Sequence, residues 1–248
     1  SLIHLFYTPY GRGAILDREG KPLAMDALVP AVGVVPGQIQ DRQGLMQALS
    51  RLLNMDAEAV NARLSVQAEP HWFVPVKVLP YDTPAKLIDD LKQIPGVTVR
   101  QEVRRHYPSG VLASHLVGYV TRVSADDLKK LADEGYTEQD WIGRAGIEQT
   151  QESLLSGRRG GKLTIISPSG TIQKVIAEKE GASPADVYLT VDAGLQKKVE
   201  NLLGDHTGTI VVMDPRDNSI LALASHPGFD PNGFVRGLTG EEWKTLSE

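Results

Sequence analysis

Cysteine is absent from this 248-residue sequence. Disulfides, thiolate catalysis and zinc–thiolate centres are therefore excluded. The absence assigns no compartment, although it suits an exported bacterial protein that avoids stray oxidation. Aromatic residues are few, at 6%, and they form no platform on which a ligand could stack. Long apolar runs are missing too. The nearest, Ala27–Pro36, is short and broken by prolines and glycine, so no segment reads as a membrane span. Ser1-Leu-Ile-His-Leu-Phe has neither the basic start nor the small-residue cleavage site of a signal peptide. It begins abruptly inside an apolar stretch, as a fragment would. Basic charge is not in excess: 26 Lys and Arg stand against 31 Asp and Glu, a net charge of −5. That leaves no electrostatic footprint for nucleic acid and argues against a polybasic membrane-surface binder.

Several catalytic signatures are also missing. The six histidines are scattered, with no His-Glu-x-x-His spacing, so no metal site is expected. Gly157–Lys162 fails as a phosphate loop because Leu163 stands where a Ser or Thr would hold magnesium. Asp214–Asn218 lacks the ligand spacing of a calcium loop and reads as a type I turn between strands. No serine is followed three residues later by lysine, and Lys244-Thr245 is followed by Leu246. By motif, the chain holds no serine acyl-transfer site. No catalytic residue, metal ligand or cofactor is assigned.

What is present is a chain long enough for a sizeable core, in one large domain or two. Leu28–Val35 reads as a strand, and Gln43–Asn54 as a helix with Leu45, Met46, Leu49 and Leu53 near a 3.6 period. Asp56–Leu64 is a second helix with Asp56 as its cap. Trp72–Leu79 is an edge strand because of Pro75. Thr83-Pro84 opens a helix, and Val97–Arg105 alternates as a half-buried strand. Val111–Val117 and Gly146–Leu155 read as helices, and Ser124–Asp127 opens another with capping chemistry. Lys162–Ser167 and Thr171–Ala177 form a hairpin around Ser169-Gly170. Gly181–Pro184 is the best linker candidate. Beyond it come strand Asp186–Thr190, helix Ala193–Leu203, strands Thr209–Asp214 and Ser219–Ala224, and a loop-like tail from Ser225. The mixed order makes the fold class α+β.

The charges of Arg12–Ala24 stand out within this frame. Arg12, Asp17 and Arg18 surround the apolar core Ala14-Ile15-Leu16, and Glu19-Gly20-Lys21 turns the chain. A lone hairpin with these charges in solvent is the plain reading. Buried, they would require partners, because unpaired buried charge is costly.

Two further motifs supply candidates. One is Arg105-His-Tyr-Pro-Ser-Gly110, with Tyr107, Pro108 and Gly110, followed by Ala113–Tyr119. The other is Gly143-Arg-Ala-Gly-Ile-Glu148, with Gly146, followed by Leu154-Leu-Ser-Gly157. Together with Arg12–Ala24 they resemble the non-catalytic N-terminal module of class B penicillin-binding proteins. Leu189-Thr-Val-Asp192, Leu195-Gln196, Gly208–Pro215, Ile220–Ser225 and Pro227-Gly-Phe-Asp-Pro-Asn232 resemble the beginning of that family's transpeptidase domain.

The resemblance implies a mixed pedestal or dimerisation domain over 1–184 and an incomplete α/β transpeptidase start over 185–248. It implies that Arg12, Gly13, Asp17, Arg18, Gly20, Arg105, Tyr107, Pro108, Gly110, Gly143, Gly146 and Glu148 meet as a structural network. In the sharpest form of this expectation, Arg12 or Arg18 lies within salt-bridge distance of Glu148.

The parent is then a D,D-transpeptidase of peptidoglycan, acylated by β-lactams at a serine beyond Glu248, on the extracytoplasmic face of a bacterial membrane. The chain itself reads as a pedestal and interaction module. Expected partners are the rest of the transpeptidase domain, a second copy in a homodimer, and proteins of the wall-synthesis machinery. The membrane would be reached only through an anchor outside the chain. A regulatory domain binding wall fragments, or residual transpeptidase or carboxypeptidase activity, are the alternatives. The strands after Pro184 are expected to expose apolar faces or to pair with another copy.

Overall fold

The computed structural model describes residues 2–7, 11–65, 67–131, 134–167 and 172–247. The chain runs through β1 (Leu2–Tyr7), β2 (Ile15–Leu16) and β3 (Pro22–Val34). Next come α1 (Arg42–Leu53), α2 (Ala57–Leu64), β4 (Val74–Val78), α3 (Ala85–Lys92) and β5 (Val97–His106). Then follow α4 (Ser114–Val117), β6 (Val120–Arg122), α5 (Ala125–Leu131), β7 (Trp141–Gly143), α6 (Gly146–Thr150) and α7 (Glu152–Leu155). The last third holds β8 (Gly161–Ile166), β9 (Ile172–Lys179), β10 (Val187–Tyr188) and α8 (Ala193–Leu203). It closes with β11 (Gly208–Met213), β12 (Ile220–His226), α9 (Asn232–Arg236) and α10 (Gly240–Ser247). The fold class is α+β, as expected. Two compact units form: residues 27–104, and residues 1–26 with 105–248.

In the unit of residues 27–104, β3 pairs antiparallel with β4, Ala31 opposite Val78 and Val34 opposite Val74. The register shifts at Val32/Gly33, beside the exposed Pro75, which cannot donate to the ladder. Asp41 caps α1 by accepting from Gln43 N and Gly44 N at 3.0 Å each. Asn54, in the left-handed region at φ 47°, ends it. Leu45, Leu49 and Leu53 of α1 pack with Val60, Val74, Leu91 and Val97 into this unit's core.

The second unit carries the three motifs. β2 pairs antiparallel with the first residues of β3 and parallel with β10. Ile15, Leu23, Tyr107, Val117 and Leu155 make its central cluster. A second cluster lies between α8 and the β11–β12 hairpin, around Val199, Ala222 and Ala224. Gln196 is fully buried and acts as a surrogate strand there. Its amide donates to Leu223 O at 2.7 Å and accepts from Leu223 N at 2.8 Å.

Several elements differ from the sequence reading. Trp72 is exposed and precedes the strand, which starts at Val74. Pro84, rather than Thr83, occupies the cap position before α3. Asp56 caps α2 by position but forms no side-chain bond to it. The helix expected from Val111 shrinks to α4, because Ala113 adopts φ 57° and Leu112 and Ser114 close separate turns. Gly146–Leu155 divides into α6 and α7 at Gln151, whose φ −109° and ψ 23° leave the helical basin. The tail after Ser225 reads as loop-like with a helical pattern at its end; α10 is that helical end, and the short helix α9 is the element the reading lacked. Residues 181–184 are tied in place: Arg158 and Ala182 exchange backbone bonds at 2.9 and 2.7 Å. The Ser169-Gly170 turn lies outside the described residues.

Candidate functional site

Glu148, in the first turns of α6, is wholly buried. One carboxylate oxygen accepts from Arg12 Nε at 2.6 Å. The other accepts from Arg105 Nε at 2.7 Å and from the Tyr107 hydroxyl at 3.2 Å. Three chain segments far apart in sequence thus converge on one carboxylate. Arg12 uses the rest of its planar fork on Glu152, donating from Nη1 at 3.1 Å and Nη2 at 2.8 Å, and on Glu148 O at 2.8 Å. Arg105 Nη1 donates to Gly13 O at 2.8 Å and lies 3.4 Å from Asp26 Oδ1. Arg105 Nη2 is buried without a hydrogen-bond partner, which raises the cost of disturbing the pairs around it. Asp26 also accepts from Arg12 N at 2.7 Å. Two guanidinium groups therefore face three carboxylates.

Glycines permit this approach. A Cβ on Gly143 would sit 2.0 Å from Glu148 O. Gly146, at φ 59°, would place one 2.5 Å from Leu116 O. Neither position tolerates a side chain without backbone movement. Gly13 is equally close to Ala185 O, while Gly20 (φ 81°) and Gly110 (φ 56°) close turns. Pro108 is exposed at the second position of the turn in which Gly110 N donates to Tyr107 O.

Two expected members stand elsewhere. Asp17 is buried but accepts no arginine. Its Oδ1 accepts from Glu19 N and Lys21 N at 2.8 Å each, and its Oδ2 from Ala193 N at 3.2 Å, at the start of α8. It is a turn carboxylate that also serves a helix N-terminus. Arg18 is exposed; its backbone N donates to Val191 O, and its charge acts on Asp214. The pairing with Glu148 is therefore made by Arg12 and not by Arg18. Arg12 precedes β2, whereas Arg18 lies in the turn after it that Gly20 N closes on Asp17 O.

Glu152 and Asp26 were not anticipated from sequence. Glu152 stands four residues after Glu148, a spacing that puts both on one helical face. Tyr136 extends the cluster, donating to Glu152 at 2.8 Å beneath the Arg159 guanidinium. Beyond Glu152 lies an open groove of about 550 Å³ bordered by Tyr136, Ser156 and Arg158.

The electrostatics resist proton transfer. Burial alone would lower Arg12, but its ion pairs with Glu152 and Glu148 outweigh that and raise it further above the ordinary arginine value. Burial and the Glu148 charge push Tyr107 well up. Burial, with the Glu152 charge, pushes Tyr136 up to about 12. Burial would raise Glu152, yet Arg12 and Gly143 N hold it down. These directions favour a protonated Arg12, neutral Tyr107 and Tyr136 hydroxyls, and an ionised Glu152. Among the described residues, no group of three or more His, Asp or Glu could hold a metal ion. The arrangement can fix three segments together; it offers no nucleophile.

The fold and this cluster define an α+β module organised on a buried ion network. The model of the family described as "Penicillin-binding Protein dimerisation domain" matches residues 7–189, and the chain belongs to that family. It is 35% identical over 239 residues to penicillin-binding protein 3 of Bacillus subtilis strain 168, covering 96% of this chain and 35% of that protein. It is 32% identical to peptidoglycan D,D-transpeptidase MrdA of Escherichia coli K12, covering 95% of this chain and 38% of that protein. The chain thus spans little more than a third of the length of these relatives. Among solved structures, it resembles PBP2 of Helicobacter pylori in its complex with MreC. The TM-score there is 0.70, the identity 26%, and the match covers all of this chain and 47% of that one.

Proposed function

We propose that this chain is the pedestal and interaction module of a class B penicillin-binding protein. Its parent cross-links peptidoglycan stem peptides and is acylated by penicillin. The single observation that carries the pedestal role is the convergence of Arg12, Arg105 and Tyr107, from two distant segments, on the wholly buried Glu148 of a third. A buried carboxylate shared by three chain segments fixes their backbones relative to one another, because breaking any one pair leaves a buried charge unpaired. The relatives named as D,D-transpeptidases support the reading of the parent.

In this reading, residues 1–184 form the pedestal and 185–248 begin the transpeptidase domain. Arg12, Gly13, Asp17, Arg18, Gly20, Arg105, Tyr107, Pro108, Gly110, Gly143, Gly146 and Glu148 mark the tie-point of the pedestal. The module works on the extracytoplasmic side of the membrane. Its partners are the rest of its own transpeptidase domain and a scaffold protein of wall synthesis. The latter is supported by the MreC complex of the H. pylori protein.

Fluorescent penicillin tests the reading directly. The 248-residue chain should take no covalent label, while the full-length parent labels stoichiometrically. A labelled chain overturns the non-catalytic role, and an unlabelled, folded parent overturns the family activity.

A further inference from the structure

Asn232 opens α9, in the Pro227–Asn232 motif that the ion cluster leaves unexplained. Its side chain closes both backbone hydrogen bonds of one residue. Tyr107 N donates to Asn232 Oδ1 at 3.0 Å, and Asn232 Nδ2 donates to Tyr107 O at 3.0 Å. The polarity of the Tyr107 peptide fixes which end of the amide is which. Asp230 Oδ1 reinforces the orientation, accepting from Asn232 N at 3.0 Å and Nδ2 at 2.9 Å. A side-chain amide in this role replaces a neighbouring strand, and the buried backbone groups it serves would otherwise be left unsatisfied.

Tyr107 has two ends with different employments. Its phenol donates to Glu148 at the centre of the ion network. Its backbone is held by Asn232. One residue therefore joins the cluster to the segment that runs through Phe229 and Phe234. That segment is seated independently on α4 and its flank. Tyr119 stacks on Phe234 at 3.7 Å, Phe229 meets the Tyr119 ring edge-on at 5.8 Å, and Ser114 Oγ accepts from Phe229 N at 3.4 Å. The aromatic contacts supply non-directional burial, whereas the amide clamp supplies register.

We propose that Asn232 is a positioning residue for the parent's acyl-transfer reaction. By clamping Tyr107, it sets the place on the ion cluster from which the chain continues towards the catalytic part of the protein. The proposal rests on the reading of the parent as a penicillin-acylated transpeptidase. A clamp of this kind acts through geometry, and a misplacement on the order of 1 Å at a remote support can cost about 100-fold in rate.

The test measures the second-order rate of labelling of the full-length parent by fluorescent penicillin, with melting temperature recorded alongside. Asn232→Ala should lower melting, since it leaves Tyr107 N and O unsatisfied, and should slow labelling by about 10- to 100-fold even well below its melting temperature, where the protein is folded. Asn201→Ala, an asparagine exposed on α8, should leave the rate unchanged. Asn232→Asp keeps the acceptor for Tyr107 N but turns the donor into an oxygen facing Tyr107 O and Asp230 Oδ1, and should slow labelling at least as much as Asn232→Ala. If Asn232→Ala does not fold, Asn232→Asp and Tyr107→Phe carry the measurement, the latter cutting the phenol link while sparing the clamp. In the 248-residue chain, amide exchange at Tyr107 should speed up in Asn232→Ala. An unchanged labelling rate together with faster Tyr107 exchange overturns the positioning role alone. A folded wild-type parent that takes no label overturns both the role and the reading on which it rests.

Discussion

Replacing Glu148 by glutamine should remove much of the stability of the unit formed by residues 1–26 and 105–248. The substitution keeps shape and volume but turns one carboxylate oxygen into an NH₂ that must face an arginine donor. Arg12 keeps its fork on Glu152. Arg105 is worse placed, since it loses its Nε partner and keeps through Nη1 Gly13 O at 2.8 Å, Arg12 O at 3.5 Å and a 3.4 Å contact to Asp26, with a side chain 1% exposed. Removing one partner of a buried pair costs about 3–5 kcal/mol. At about 2–4 °C per kcal/mol for a unit of this size, melting should fall by about 6–20 °C. Urea unfolding followed at Trp141, with Trp72 and Trp243 replaced by phenylalanine, reports on this unit alone. The exposed pair Asp126–Lys129, 84% and 75% exposed, provides the comparison; Asp126→Asn should cost less than about 1 kcal/mol. The combined Arg12→Met, Arg105→Met, Glu148→Leu and Glu152→Gln variant should recover much of the loss, because both central ion pairs are then removed together and neither Arg12 nor Arg105 leaves a buried carboxylate behind at Glu148 or Glu152. A loss from Glu148→Gln no larger than that from Asp126→Asn would refute the reasoning.

The Asp17 carboxyl is held below its ordinary value of 3.8: burial opposes this, and the N–H groups of Lys21, Ala193 and Glu19 outweigh it. Its contribution is therefore complete above that value and lost as pH falls through the folded one, so Asp17→Asn should flatten the acid limb of a urea-midpoint profile. Gly146→Ala puts a side chain at φ 59° and 2.5 Å from Leu116 O. It should destabilise by more than about 1 kcal/mol in urea titration. Val211 and Met213 project from one face of β11 and are about half exposed. The chain should self-associate in light scattering, and Val211→Lys with Met213→Lys should make it monomeric; a monomeric wild type would count against this.

Local elements were legible where local physics decides them. Helix α8 begins and ends where its apolar period and Asp192 place it, with Asp192 accepting from Leu195 N at 2.8 Å. Likewise α1 follows the Leu45, Leu49, Leu53 stripe. Reading failed where tertiary contacts override propensity. Val111–Ala113 has helical residues, yet Ala113 N is taken by Glu200 at 2.7 Å and the chain turns there. Asn232 lay in a recognised motif, but nothing in its neighbours says that its amide serves a backbone 125 positions away.

The sequence by itself determined the family, the α+β class, the absence of a serine–lysine pair and the three segments that meet. The class and the missing pair follow from residue types, spacing and period, which are local properties; the family and the meeting of the segments were implied by the motifs' resemblance to that family. Only the tertiary structure decided which charge meets which. Arg12 and Arg18 carry the same group six residues apart, and one is buried on Glu148 while the other lies in solvent. Arg18 falls in the tight turn that Gly20 N closes on Asp17 O, while Arg12, ahead of β2, reaches a carboxylate 136 positions away that only the folded chain brings to it. Asp17 was claimed first by the N–H groups of its own turn, which are close in sequence, before any arginine could reach it.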